Sequence, residues 1–509
     1  MRLAEPLALS ASALPRLGMP APNYERSALS VGIVHIGLGG FHRAHQAMYL
    51  DQLMNEGLAR DWAICGLGVL PRDAAMRDAL AVQDYLYTLM VKHPDGEIEA
   101  RIIGSIVDFI HAPDDPQIAV ERLADPTVRI VSLTITEGGY NFNQSSGPFD
   151  EANPDVVHDL DAAAATARGE PAEGPRSVFG LVVEALHRRR TRGLSPFTIM
   201  SCDNIQGNGD VARRQFTAYA RLRDPDLATW IEDQVCFPNS MVDRITPVTS
   251  DEDRRQLSDI YGVADRWPVT CEPFAQWVLE ERFVGGESGR PPLELAGVQL
   301  VEDVEPYELM KLRLLNASHQ ALCYSGYLAG YRFAHEVCND QSFIDFLRAY
   351  MEREATPTLR PVPGIDLDNY KHQLIERFAN PAIRDTLARL CAESSDRIPK
   401  WLVPVIRDNL EVGRPVDLSA AVVASWARYA EGIDEQGETI AVVDKRKERI
   451  MAAAARQRSG DSLAFIRDRE LFGDLVDRPQ FTDPYLRALE AFRTKGARAT
   501  IAKLTRLDA

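Results

Sequence analysis

A chain of 509 residues is longer than one hydrophobic core normally organises, roughly 250–300 residues, so two or more domains are expected. A formal net charge of -17 argues against a nucleic-acid or anionic-membrane partner, either of which would favour a basic face. The seven cysteines (Cys65, Cys202, Cys236, Cys271, Cys323, Cys338 and Cys391) include no CxxC pair, which suits reduced thiols in a cytoplasmic protein.

Residues 1–30 are rich in Pro and small residues and read as an irregular arm, without the sustained apolar core of a signal peptide. From Val31 a β-branched run, Val31-Gly32-Ile33-Val34-His35-Ile36, leads into Gly37-Leu38-Gly39-Gly40-Phe41, and a helix is expected through Ala44, Met48, Leu50 and Leu53. Glycine lets backbone approach a pyrophosphate closely, so Gly37, Gly39, Gly40 and Phe41 are candidate cofactor contacts. The pattern Gly37-x-Gly39-x-x-His42 lacks the third fingerprint glycine, and by itself it fits a purely steric turn equally well.

A second strand is expected over Trp62–Val69, followed by Asp73. An acid after the second strand of a nucleotide fold accepts the adenosine ribose hydroxyls and repels a 2′-phosphate, which favours NAD. The neighbouring Arg72 pulls the other way, and a loop or cap acid is the plainer alternative for Asp73. Further strands are expected at Ile103–Ile110, Val128–Thr136 and Phe197–Cys202, ending in Thr136-Glu137-Gly138-Gly139-Tyr140 and in Asp203-Asn204. Polar residues at the C-terminal ends of parallel strands stand where open α/β sheets bind ligands. Asp203-Asn204 alone also fits a turn or helix cap, and Glu137 a structural cap.

Residues 141–175 read as a long surface excursion, with helices following at 175–191, 210–223 and 226–235. The segment Phe237–Pro247 looks too polar for a strand, and its Asp243-Arg244 pair fits either a ligand contact or a structural ion pair. Residues 266–283 lead toward an apolar return strand, and 285–294 mark a weak boundary. Beyond residue 305 helical periodicity takes over, at 305–330, 341–352, 370–392, 417–430, 443–456 and 484–504. The expected fold class is α/β, with a Rossmann-type nucleotide-binding domain over residues 1–297 and a second, mainly α-helical domain over 298–509.

Within the second part, Lys311, Asn316 and His319 stand among apolar neighbours on one expected helix. At about 100° per residue, His319 lies roughly 60° from Asn316 and roughly 80° from Lys311, with Lys311 and His319 about 12 Å apart along the axis. The spacing also fits a surface lysine, a helix amide and a core histidine. No HExxH and no cysteine-ligand spacing is present, so no metal is expected.

Taken together, these segments resemble the polyol-specific long-chain dehydrogenases, a family that includes mannitol 2-dehydrogenases and related sugar-acid oxidoreductases. Its Lys-x4-Asn-x2-His signature maps without gaps onto Lys311, Asn316 and His319. Its Gly-x-Gly-Gly-Phe-His-Arg-Ala-His-Gln form is reproduced from Gly37 to Gln46, and its Ser-Cys-Asp-Asn segment at Ser201–Asn204. The resemblance covers nearly the whole chain and implies an NAD-dependent enzyme that interconverts D-mannitol and D-fructose at C2; the cysteines and N-terminus point to the cytoplasm, and a monomer or weak oligomer is expected. It implies Lys311 as general base, Asn204 and Asn316 as donors to the reacting oxygen, His319 as an orienting group and Glu137 as a proton relay. Thr136 joins the cofactor contacts, while Asp243, Arg389 and Arg397 hold the polyol or ketose. Arg397 replaces a lysine of the family pattern, which leaves D-arabinitol, or a sugar acid such as fructuronate, as alternative substrates. A nucleotide-binding sensor is the non-enzymatic alternative.

Overall fold

Apolar, β-branched runs form most of the strands that organise the first half of the chain. The computed structural model describes residues 5–142 and 147–505. Its strands are β1 (Leu7–Ala8), β2 (Val31–Ile36), β3 (Ala63–Gly68), β4 (Tyr87–Lys92), β5 (Ile98–Ile103), β6 (Ile106–His111) and β7 (Ile130–Leu133). They continue with β8 (Thr198–Ser201), β9 (Ser240–Asp243), β10 (Val263–Ala264), β11 (Val269–Cys271), β12 (Gln276–Glu280) and β13 (Gln299–Val301).

Five of them form a parallel sheet in the order β6-β3-β2-β7-β8. The chain begins in the middle, moves outward through β3 and β6, and returns on the other side of β2. This is the doubly wound order of a Rossmann-type fold, and its direction reverses between β2 and β7, where such sheets bind nucleotides. Alternate residues serve the two faces. Val34, Ile36, Val131, Leu133 and Ile199 pack on one side with the helix Val178–Thr191. Ile33, Ile64, Ile130 and Met200 pack on the other with Leu50 and Leu53. Burying a Val or Ile side chain contributes about 1.5–3 kcal/mol, so a charge at Ile64 or Val131 would break the sheet's packing.

Several expectations need correction. The strand expected over Ile103–Ile110 is two strands, interrupted at Gly104-Ser105. Gly104 donates its N–H to Asp51 (2.8 Å) and accepts from Arg26 Nε (3.0 Å), and β5 leaves for a separate sheet with β4 and β11. The segment judged too polar for a strand contains β9, which pairs antiparallel with β12. Its polar residues are buried because they find partners: Ser240 Oγ donates to the Ser201 carbonyl at 2.7 Å. The expected excursion at 141–175 holds a helix, Pro154–Ala167, capped by Asn153 with proline in its first turn. The N-terminal arm is tied down, since β1 pairs parallel with β10. The first four residues of that arm, and 143–146 of the excursion, lie outside the described residues.

The chain divides into two compact units, Met1–His93 with Glu97–Glu305, and Pro94–Gly96 with Pro306–Ala509. Because β13 pairs with β12, the first unit extends past residue 298. The second unit is helical, and among its described residues β pairing is confined to isolated bridges. Its central helix, Ala317–Leu328, is buried at every position but Tyr327, and a second buried helix, Asp417–Tyr429, packs against it. The single helix expected over 370–392 is broken into Leu367–Phe378 and Leu387–Cys391, with Pro381 unable to continue the ladder between them. All seven cysteines are free thiols. No helix of the described residues is long and apolar enough to cross a membrane.

One buried acid makes the second unit pH-sensitive. Glu354 accepts the N–H groups of Leu418 (2.7 Å) and Ser419 (2.8 Å), and burial pushes its carboxyl up to about 7. The folded state therefore holds this proton more tightly than the unfolded chain, whose value is near 4.5. Its contribution, on the order of 3 kcal/mol, is fully present below that value and is lost as pH rises through about 7. The melting temperature is expected to fall between pH 5 and pH 8, and Glu354→Gln to flatten that slope. An equal slope in the variant would refute the assignment.

Candidate active site

In the first unit the expected nucleotide contacts gather at the C-terminal edge of the parallel sheet. β2 runs into Gly37, whose φ of +90° suits glycine, and a Cβ there would lie 2.2 Å from the Thr134 carbonyl oxygen. Thr134 Oγ1 donates to the Gly37 carbonyl at 2.8 Å, locking the turn against β7. Gly39 caps the short helix Gly40–Ala44, and Phe41 stacks on His45 with ring centroids 5.0 Å apart. A glycine is required because the turn packs directly on the Thr134 backbone, and the turn stands at the sheet's reversal point, where Rossmann-type sheets bind dinucleotides.

Asp73 lies beyond β3, with Oδ2 accepting the N–H groups of Val69 (3.0 Å) and Leu70 (2.9 Å). The plainer alternative, an acid that holds its own loop, is thus part of what this carboxylate does. Arg72 beside it is exposed. Beyond β7, Thr136 opens a short helix, Thr136–Gly139, that includes Glu137. Beyond β8 comes the Asp203-Asn204 loop, and Asp203 accepts from the N–H of Thr136 at 2.7 Å. Asp243 ends β9 and is buried. Arg244 clamps the backbone instead, donating to the carbonyls of Glu272 (3.1 and 3.0 Å) and Ala44 (2.6 Å).

In the second unit, Lys311, Asn316 and His319 are all buried. They do not share one regular helix. Glu305–Met310 and Ala317–Leu328 are α-helical, but Lys311–Asn316 between them is a π-helix. On a regular helix residues five apart diverge by about 140°, which would separate Lys311 from Asn316. A turn bonded i to i+5 is wider, and it stacks residues five apart on one face. The widened turn is fixed from outside. Tyr350 OH donates to the Arg313 carbonyl at 3.1 Å, and Arg313 Nη1 reaches Asp408 (2.6 Å) and the Thr358 carbonyl (2.8 Å).

Asn316 Oδ1 and His319 Nε2 are closed to solvent and have no hydrogen-bond partner among the described residues. Buried polar atoms are nearly always satisfied, so these two, one turn apart, are available to hydrogen-bond a water or a ligand. Burial pushes His319 down to about 3; the Asp385 carboxylate opposes this, while Arg389, Arg377 and Arg397 reinforce it. Its imidazole is therefore neutral. The Phe378 ring lies 4.4 Å from it, centroid to centroid.

Arg389 is gripped by Asp385 through both prongs of its guanidinium, at 2.6 and 2.5 Å. Arg397 Nη1 donates to the carbonyls of Arg389 (3.2 Å) and Leu390 (2.9 Å), and its guanidinium lies 5.6 Å from the Trp401 ring centre. No group of three or more His, Cys, Asp or Glu that could hold a metal occurs among the described residues.

Sequence reasoning gave Asp203 only as a turn or cap residue, and it missed the supporting Tyr140 and Tyr350. The i, i+4 spacing of Asp385 and Arg389 was a signal for their pairing. Nothing local marked the others, whose partners are distant in sequence.

The Rossmann domain model of the mannitol dehydrogenase family matches residues 31–293, and that family's C-terminal domain model matches residues 303–493. A curated mannitol 2-dehydrogenase of Phaeosphaeria nodorum is 44% identical over 486 residues, 95% of this chain and 83% of that protein. The Pseudomonas fluorescens mannitol 2-dehydrogenase, solved as a ternary complex with NAD and D-mannitol, is 45% identical with a TM-score of 0.86. The match covers 98% of this chain and all of that one. A substrate-free D-sorbitol dehydrogenase structure gives 37% identity and a TM-score of 0.85, over 97% of this chain and 100% of its own. These likenesses define a class, the dehydrogenases that join a Rossmann domain to a C-terminal domain in one chain. Within that class the chain belongs to the mannitol dehydrogenase family.

Proposed function

We propose that this protein catalyses the NAD-dependent oxidation of D-mannitol to D-fructose at C2 and the reverse reduction. The observation that carries the reading is the likeness, over 98% of the chain, to a mannitol 2-dehydrogenase solved with NAD and D-mannitol. The place of the Gly37 turn at the sheet's reversal point and the buried Lys311, Asn316 and His319 support it.

Gly37, Gly39, Gly40, Phe41 and Thr136 hold NAD, with Asp73 at the adenosine ribose; when bound, NAD supplies the acceptor for the hydride leaving C2. Lys311 takes the proton of the C2 hydroxyl as general base. Asn204 and Asn316 donate amide hydrogens to that oxygen as it becomes negative, which helps oxidation and reduction alike. Neutral His319 orients the hydroxyl, and Glu137 passes the proton between Lys311 and water. Asp243, Arg389 and Arg397 hold the hydroxyls far from C2.

Asp243 favours a neutral substrate over a sugar acid. Asp385 already neutralises Arg389, and although Arg397 uses only Nη1 on two carbonyls and keeps Nε and Nη2 for a ligand, a carboxylate would be repelled by Asp243, whereas hydroxyls can donate to it. Steady-state kinetics with NADH at equal ionic strength should give a higher kcat/KM for D-fructose than for fructuronate. A value for fructuronate about ten times that for fructose, on the order of 1.4 kcal/mol of preference, would overturn the polyol assignment. The likeness to a D-sorbitol dehydrogenase supports D-sorbitol as a second substrate reading, and a parallel assay of both polyols with NAD separates the two.

A further inference from the structure

Thr136 carries a φ of +62°, the left-handed region that a β-branched residue rarely enters. It sits where β7 ends, immediately before Glu137. Something must hold it there, and the structure shows a single buried carboxylate doing so. Asp203 Oδ1 accepts the N–H of Thr136 (2.7 Å) and Oδ2 accepts the N–H of Ile135 (3.1 Å). Oδ2 also accepts the Tyr140 hydroxyl (2.8 Å), which is 2.6 Å from Ser201 Oγ. On its other side the Asp203 backbone is fixed, because Asn208 Nδ2 donates to the carbonyls of Asp203 (2.9 Å) and Ser240 (2.8 Å). Asn204 is the next residue.

We propose that Asp203 is a positioning residue of the reaction: it holds Thr136 in its left-handed conformation and so fixes the Glu137 backbone relative to Asn204. The inference rests on the roles given above to Glu137 and Asn204. A carboxylate suits the task because the two N–H groups and the hydroxyl all need acceptors. An asparagine has one acceptor oxygen, and its NH2 would face a donor.

The same contacts would also make Asp203 a plain brace of the fold, and a double-mutant cycle separates the roles. Glycine enters the left-handed region without a Cβ penalty, so Thr136→Gly should release the turn from its dependence on Asp203. The cycle cancels whatever Thr136 does alone for the cofactor. Asp203→Asn should lower kcat for polyol oxidation about tenfold or more beside Thr136, and less than about threefold when combined with Thr136→Gly. KM for NAD should change less than kcat in each case. Equal losses in both backgrounds, or an unchanged kcat in Asp203→Asn, would overturn the proposal. NADH binding reports whether each variant is folded. If Asp203→Asn is not folded, Asp203→Glu replaces it under the same criterion. The unmodified enzyme tests the functional reading separately: inactivity toward D-mannitol defeats that reading, while the cycle is then run on whichever polyol is turned over.

Discussion

Lys311→Ala is expected to lower turnover of D-mannitol by at least ~10²-fold, the low end for loss of a general acid–base group. The lysine is buried in the widened turn, and alanine keeps the helix while removing the amine. Nucleotide contacts are assigned to residues of the first unit, so NADH affinity should change little. That split separates a lost base from a damaged fold. Part of the activity should return with small primary amines, which can occupy the space left by the side chain and take the proton. Near-wild-type turnover in the variant, or a loss of NADH binding equal to the loss of rate, would remove Lys311 from its role.

The second large effect concerns cofactor choice. With Asp73 in place, a 2′-phosphate would meet a like charge. At about 5 Å and an effective dielectric near 20, that repulsion is on the order of 3 kcal/mol, or roughly 10²-fold. Asp73→Ala should therefore cut the NAD over NADP ratio of kcat/KM by at least about tenfold, with Arg72 left to attract phosphate. Alanine also removes the acceptor for the Val69 and Leu70 amides, so a loosened loop is a rival explanation. Asp73→Asn keeps an acceptor oxygen and removes the charge. If asparagine leaves the ratio untouched while alanine shifts it, the loop and not the charge sets the preference.

The central sheet was legible because a parallel sheet buries both faces, so its strands are nearly continuous apolar runs, as in Ile130–Leu133. Strand β9 was not legible. Ser240 and Asp243 look like loop residues until the Ser201 carbonyl, 39 positions away, takes the serine hydroxyl. Thr136 gave a false signal: a β-branched residue at the end of an apolar run reads as strand, and its left-handed backbone depends on Asp203, 67 positions on. The second unit's helices declared themselves by period, but the break at Asn380-Pro381 was overlooked although proline announced it. The site residues were legible as chemistry, an amine, an amide and an imidazole among apolar neighbours. How they come to one face was not, because a turn bonded i to i+5 has no compositional mark. It is held by Tyr350 and Arg313, whose pairing no local pattern encodes.

The widened turn at Lys311–Asn316 amounts to one extra residue lodged inside an otherwise continuous helix. Losing a single codon among Leu312–Leu315 would take up that extra residue and leave Lys311 and Asn316 four apart on a regular helix, about 40° around the axis and still on one face, whereas closing the turn with every residue kept would swing Asn316 to about 140° from Lys311. The stretch from Glu305 to Leu328 is therefore constrained less by its own leucines than by what holds the turn open, the Tyr350 hydroxyl on the Arg313 carbonyl and the Asp408 carboxylate and Thr358 carbonyl on the Arg313 guanidinium. Chimeras that exchange this segment among relatives should have their junctions outside Glu305–Asp408, so that the turn is inherited together with Tyr350, Thr358 and Asp408.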